Sequence, residues 1–259
     1  METFVYHGYE VPERLAVLTG GGGETFDAVA TEQLAILQRL IPIEPEHQLL
    51  EIGCGIGKLA IPLANMLSPN GRYCGVDVIR DSIGWCQNNI TPRHRNVEFI
   101  HVDAMSHMYN PEGGSQSAAT RLPFPDGTID RIFLFSVFTH MFEPDIRDYL
   151  SEFRRLLKPS GRILATWFVI DDAALAAVRK NGSSLGPHIL FPYQISMGCY
   201  VNVIEAPLGA VGYTLPCIQG MMIDSGLRIS NTKWGYWSGA RSNERDGGQD
   251  TTILELAGT

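Results

Sequence analysis

The chain has 259 residues, 44% of them hydrophobic and 19% charged, with a formal net charge of −8. That length suits one large α/β domain or two small ones, and the composition is that of a folded globular protein. With only four lysines (Lys58, Lys158, Lys180 and Lys233) the chain lacks the clustered cations of a phosphate-tracking surface, so no nucleic-acid partner is expected.

The N-terminal residues show no basic stretch followed by an apolar core, and no apolar run approaches the roughly 18 residues of a membrane span. No signal peptide and no membrane association are expected. Cys54, Cys74, Cys86, Cys199 and Cys217 form no C-x-x-C pair, which argues against a zinc site and for reduced thiols in the cytoplasm. No metal is expected.

In chain order, Thr19 to Gly23 reads as a glycine break, either a plain linker or a loop over a ligand. A helix is expected from about Phe26 to Leu40, its apolar face marked by Phe26, Ala30, Leu34, Leu37 and Ile41, so that 1–45 forms an N-terminal helical extension. Leu49 to Ala60, LLEIGCGIGKLA, is the stretch around which the rest is organised. Leu49, Leu50 and Ile52 make a buried strand with Glu51 near its end. Gly53, Gly55 and Gly57 allow a sharp turn and a close ligand approach, because none carries a Cβ. Helix then resumes from Lys58 to Leu67. A strand, a glycine turn and a helix start form a nucleotide-sized site at the C-terminal edge of a parallel sheet.

A second strand is expected over Arg72 to Val78. It ends near Asp77, an acid about 20 residues past the glycine turn, the order of spacing that grips a ribose diol. A helix with Ile83, Trp85, Cys86 and Ile90 follows, then a third strand, Val97 to Val102. Residues 109–120 read as a polar surface loop. A fourth strand spans Arg131 to Phe135 and a helix Asp145 to Leu157, closed by Pro159-Ser160-Gly161 before a fifth strand, Arg162 to Trp167. Residues 168–220 break the rhythm with Phe191, Tyr193, Met197 and Tyr200 among glycines and prolines. They read as an irregular apolar cap, or as a packed connection with no part in a site. A last helix, about Cys217 to Ser225, and two strands, Leu227 to Trp234 and Thr251 to Leu256, end the chain.

The spelling E-x-G-x-G-x-G at 51–57 resembles the first motif of the class I S-adenosylmethionine (SAM) dependent methyltransferases. The resemblance continues in order through Gly75-Val76-Asp77-Val78, His101-Val102-Asp103-Ala104, Leu122 to Asp130 and Tyr149 to Thr166. It implies one α/β domain over 1–259: a Rossmann-like sheet of seven strands, order 3-2-1-4-5-7-6 with strand 7 antiparallel, helices on both faces, and a cap after strand 5. It also implies SAM as donor and S-adenosylhomocysteine as product. The donor would be held by Glu51, Gly53, Cys54, Gly55, Gly57, Asp77, Val78, Asp103, Ala104 and Ser136. Among these, Asp77 would face the ribose, Asp103 and Ala104 the adenine, and Glu51 the amino group.

Methyl transfer from a sulfonium needs alignment and exclusion of water, and a base only when the nucleophile arrives protonated. His140, after strand four, is the candidate base, with a packing or capping histidine as the alternative. Phe138, Phe191, Tyr193, Met197 and Tyr200 are the expected acceptor-side residues. The end of strand four lacks the Asn/Asp-Pro-Pro-Tyr/Phe signature of nucleic-acid amino methylation and the Pro-Cys of cytosine-C5 enzymes. A small-molecule or peptide-like acceptor, methylated on O or N, is therefore expected. Two alternatives remain: a non-catalytic methyltransferase-like partner subunit, and a nicotinamide-dependent reductase, although no tyrosine here has a lysine four residues on.

Overall fold

The computed structural model describes residues 2–103, 121–241 and 247–258. Ala104 and the loop expected over 109–120 lie outside the described residues. The chain forms two compact units, Met1–Gln116 with Ile129–Phe133, and Ser117–Thr128 with Leu134–Thr259.

The first unit opens with a hairpin, β1 (Thr3–Tyr6) and β2 (Tyr9–Pro12), where the sequence suggested only helix. Its two-residue turn is His7-Gly8, both with positive φ (47° and 79°), the turn geometry that matches strand twist. Tyr6, Tyr9 and Val11 point inward and are buried. Helix α1 (Glu13–Ala16) follows, and α2 runs over Gly23–Leu40, starting three residues before the expected Phe26. The reason is a cap from outside the helix. Both carboxylate oxygens of Glu13 accept from the Gly23 N–H, at 3.0 and 3.1 Å, placing an anion at the positive end of α2.

The rest of this unit is β3 (Gln48–Ile52), α3 (Ala60–Met66), β4 (Arg72–Asp77), α4 (Arg80–Asn89) and β5 (Val97–His101), with β6 (Ile129–Leu134) continuing the sheet. Strand β3 pairs in parallel with β4 and with β6, and β4 in parallel with β5. Such interior strands are apolar along their whole length, so the buried Glu51 and Asp77 stand out.

In the second unit α5 (Glu143–Leu156) leads into β7 (Leu157–Trp167), which is extended from Leu157 rather than from Arg162. Pro159, with its fixed φ, suits extended backbone. The insertion is not irregular. It contributes β8 (Val169–Ile170), α6 (Asp172–Asn181), β9 (Tyr193–Ser196), β10 (Cys199–Val201) and β11 (Val211–Thr214), assembled as a separate sheet in the order β8-β11-β10-β9. Phe168, Ile170, Leu175, Val178, Phe191 and Trp237 form its core. Helix α7 (Leu215–Asp224) and strands β12 (Leu227–Lys233) and β13 (Asp250–Leu256) complete the chain, β13 antiparallel to both β7 and β12.

The main sheet has seven strands in the order β12-β13-β7-β6-β3-β4-β5. Counted along the main sheet alone, this is the expected 3-2-1-4-5-7-6 with strand 7 antiparallel. Among the described residues no helix is long and apolar enough to cross a membrane.

Candidate functional site

Strand β3 ends at Ile52 and the chain turns at once. Gly53, Gly55 and Gly57 have φ of 75°, 51° and 76°, the left-handed region that side chains resist. The Gly53 N–H donates to the Val76 carbonyl at 2.7 Å, tying the turn to the end of β4. Asp77 then holds the turn from the next strand. Its Oδ2 accepts from the Gly55 N–H at 2.7 Å and its Oδ1 from the Ile79 N–H at 2.8 Å. Burial raises the Asp77 pKa against these backbone donors. Each oxygen keeps acceptor capacity after these bonds. Gly55 is constrained by the protein itself: a Cβ there would lie 2.2 Å from Thr19 Cγ2.

Below the turn sits a buried polar cluster. Glu51 accepts a hydrogen bond from the Tyr73 hydroxyl, and burial pushes its pKa up to about 8. Lys58, also buried, donates from Nζ to the Thr19 carbonyl at 3.3 Å. The Tyr6 hydroxyl donates to the Lys58 carbonyl at 3.1 Å. The N-terminal hairpin and the Thr19 segment are therefore built onto the glycine turn, a role with no sequence signature. A lone tyrosine in β4 and a lysine at the start of a helix carry no spacing signal for the cluster.

The other expected donor residues differ in exposure. Cys54 is buried, its sulfur packed where a Cβ on Gly75 would fall (2.8 Å), so only its backbone belongs to the turn. The Val78 carbonyl accepts from His101 Nε2 at 3.2 Å, and Asp103 is exposed.

In the second unit, Ser136 follows β6 with a positive φ of 58°, a strained geometry for a non-glycine residue. Its N–H donates to Thr166 Oγ1 at 2.8 Å and its hydroxyl to Gln249 Oε1 at 3.0 Å. His140 sits in a short 3-10 turn, with Nδ1 2.9 Å from the Leu208 carbonyl oxygen. A carbonyl only accepts, so Nδ1 carries the proton and Nε2 the lone pair. Burial lowers the His140 pKa, which favours the neutral ring. Tyr213 donates to the next carbonyl, Met141, at 3.0 Å. The insertion thus holds the His140 turn at two points.

The aromatic residues expected beside the acceptor divide. Phe138 is fully buried against Trp167 and Phe153, with ring centroids at 4.8 and 6.3 Å, and Phe191 against Phe168 and Trp237, at 5.1 and 5.6 Å. Both are core residues: Phe138 packs between α5 and the end of β7, and Phe191 belongs to the core that the insertion forms of its own. Tyr200 is partly buried against that core. Tyr193 and Met197, on the β9–β10 hairpin, are exposed, Met197 at 92%.

Comparison with known proteins follows the same outline. Residues 49–161 match the family described as "Methyltransferase domain". Methyltransferase GfsG of Streptomyces halstedii is 30% identical over 154 residues, covering 57% of this chain and 48% of that protein. The chain spans about half the length of the curated relatives it matches. A SAM-dependent methyltransferase from Aquifex aeolicus superposes with a TM-score of 0.56 at 16% identity, over 94% of this chain and 97% of that one. The 1,6-didemethyltoxoflavin-N1-methyltransferase of Burkholderia thailandensis, solved with 1,6-didemethyltoxoflavin and S-adenosylhomocysteine, gives 0.55 at 14% identity, over 91% and 80%. At such identities the structural likeness speaks for the fold, and the matched family for the kind of domain the fold carries. Residues 49–161 thus resemble a methyltransferase domain, carried on the fold seen in solved SAM-dependent methyltransferases.

Proposed function

We propose that the chain transfers a methyl group from SAM to an oxygen or nitrogen of a small organic or peptide-like acceptor. The observation that carries this reading is the glycine turn held by Asp77, with the buried Glu51 beneath it. The residues fit the donor. Asp77 retains lone pairs for two ribose hydroxyls, Glu51 supplies a buried carboxyl that an incoming ammonium would ionise, and exposed Asp103 supplies an acceptor for the adenine amine. The Gly53–Gly57 backbone, including that of Cys54, cradles the amino-acid end, and Val78, Ala104 and Ser136 complete the proposed contacts.

SAM, when bound, supplies a sulfonium-activated methyl group. The chain's own work is then orientation, exclusion of water and, for a protonated acceptor, removal of one proton. His140 suits the proton removal, because its Nδ1–H is committed to Leu208 and its Nε2 lone pair receives the proton. The insertion over 168–220 is proposed as the acceptor cap of one catalytic domain spanning 1–259. Tyr193, Met197 and Tyr200 would meet the acceptor, with Phe138 and Phe191 supporting them from the core. A small acceptor is in keeping with the Burkholderia enzyme of similar fold, whose structure holds 1,6-didemethyltoxoflavin.

Incubation with methyl-labelled SAM and a panel of small hydroxy and amino compounds, 1,6-didemethyltoxoflavin among them, tests the proposal. Label appearing in one compound class, with S-adenosylhomocysteine released in equal amount, is the expected result. Tight binding of S-adenosylhomocysteine without turnover on any acceptor favours the partner-subunit reading. No binding of any adenosyl compound removes the donor assignment.

A further inference from the structure

Lys58 is a buried cation with too few partners. The residue is 8% exposed, and among the described residues its ammonium makes one hydrogen bond, the long 3.3 Å contact to the Thr19 carbonyl, with no carboxylate oxygen at ion-pair distance. Its other neighbour is the face of the Phe26 ring, 5.8 Å from Nζ to the centroid. An ammonium has three donors, and a desolvated one left with a single carbonyl is costly unless an anion comes to it.

Its position says which anion. Thr19, whose carbonyl Lys58 contacts, lies with its methyl against Gly55, at the middle of the glycine turn. Glu51 lies at the start of the same turn and attracts Lys58 from beyond ion-pair distance. A buried carboxyl group and a cation, set at the two ends of a backbone turn, match a zwitterionic α-amino acid: the carboxyl, ionised by the ligand's ammonium, for that ammonium, and the lysine for the ligand's carboxylate. The Tyr6 hydroxyl on the Lys58 carbonyl fixes the backbone from which the side chain reaches.

We propose that Lys58 binds the α-carboxylate of the methionine end of the donor, opposite Glu51, so that the site reads the whole amino-acid head and not the nucleoside alone. The proposal rests on the donor reading above and adds a residue to it. It also gives the N-terminal hairpin and Thr19 a purpose, since both hold the lysine where the glycine turn begins its helix.

The test is calorimetric titration of wild type and Lys58→Met with three ligands: S-adenosylhomocysteine, its decarboxylated analogue, which keeps the ammonium, and 5′-methylthioadenosine, which has neither charge. Wild type should prefer S-adenosylhomocysteine to the decarboxylated analogue by about tenfold or more, the scale of a charge-assisted contact. Lys58→Met should erase that preference while leaving 5′-methylthioadenosine affinity unchanged, which also shows that the variant is folded. An undiminished preference in Lys58→Met overturns the proposal and leaves the donor reading standing. Equal loss of all three ligands makes Lys58 a structural residue and overturns it too. Failure of wild type to bind any of the three overturns the donor reading and the proposal together.

Discussion

Asp77 holds the glycine turn before any ligand arrives, through the Gly55 and Ile79 N–H groups. Asp77→Ala should therefore weaken S-adenosylhomocysteine binding by about 2–4 kcal/mol and also destabilise the ligand-free protein by about 1–3 kcal/mol, since one buried and one half-buried donor lose their acceptor. Thermal melting without ligand checks the second effect, and an unchanged midpoint would mean the turn needs no carboxylate. Glu51 makes a prediction about pH. Its folded pKa of about 8 lies above the ordinary 4.5, so the folded state holds the proton more tightly. That contribution to stability is full below about pH 4.5 and is lost as pH rises through about 8, by at most about 1.4 kcal/mol per pH unit. Glu51→Gln keeps an acceptor for Tyr73 and removes the slope. Urea unfolding of both proteins across this window should show the variant gaining on wild type as pH rises; parallel curves would mean Glu51 is already neutralised by its surroundings. At this scale the place of Asp77 at the end of β4 was legible, because spacing along the chain reports it. Tyr73, Lys58 and Thr19 were not, because they meet only when three separate segments fold together.

Elements with a strong period were legible and those held by capping or by their own small core were not. The strand, turn and helix of 48–66 follow from the glycines and the apolar run, whereas the His7-Gly8 hairpin rests on a two-residue turn with no such period around it. The insertion misled in the opposite direction. Its aromatics looked like a pocket lining, yet Phe191 is buried in a left-handed conformation (φ 49°), its N–H bound at 3.2 Å to Asn202 Oδ1, which also accepts from Leu190 at 2.8 Å. Phe191→Ala should cost about 3–5 kcal/mol, as for a large aromatic removed from a packed core. Met197→Ala, at the exposed hairpin tip, should stay within about 0.5 kcal/mol of wild type. Chemical denaturation separates the two. Similar losses at both positions would mean that the hairpin tip is buried in solution.

Across the whole molecule the strand order was readable because five βα segments in sequence leave few topologies, and an antiparallel last pair closes the sheet. The pinning of the second unit was not readable. Asp250, fully buried, accepts from the N–H groups of Val169 and Gly235, each at 2.9 Å, and from Trp237 Nε1 at 2.7 Å, joining the start of the insertion to the end of the chain. The proposed donor residues Glu51, Gly55 and Asp77 belong to one compact unit, while His140, Leu208 and Asp250 belong to the other. If the two units divide donor and acceptor chemistry, lesions should divide in the same way. His140→Ala should leave S-adenosylhomocysteine affinity within about twofold and lower turnover by about 10²–10⁴-fold on an acceptor that must lose a proton. The pH profile gives the finer check. Burial holds the His140 pKa below its ordinary 6.5, so wild-type activity should fall only as pH drops beneath that value, where the ring takes up a proton and ceases to be a base. The acid limb should vanish with the histidine. Full activity in His140→Ala, with the limb intact, would reduce His140 to the packing residue that its contact with Leu208 also permits.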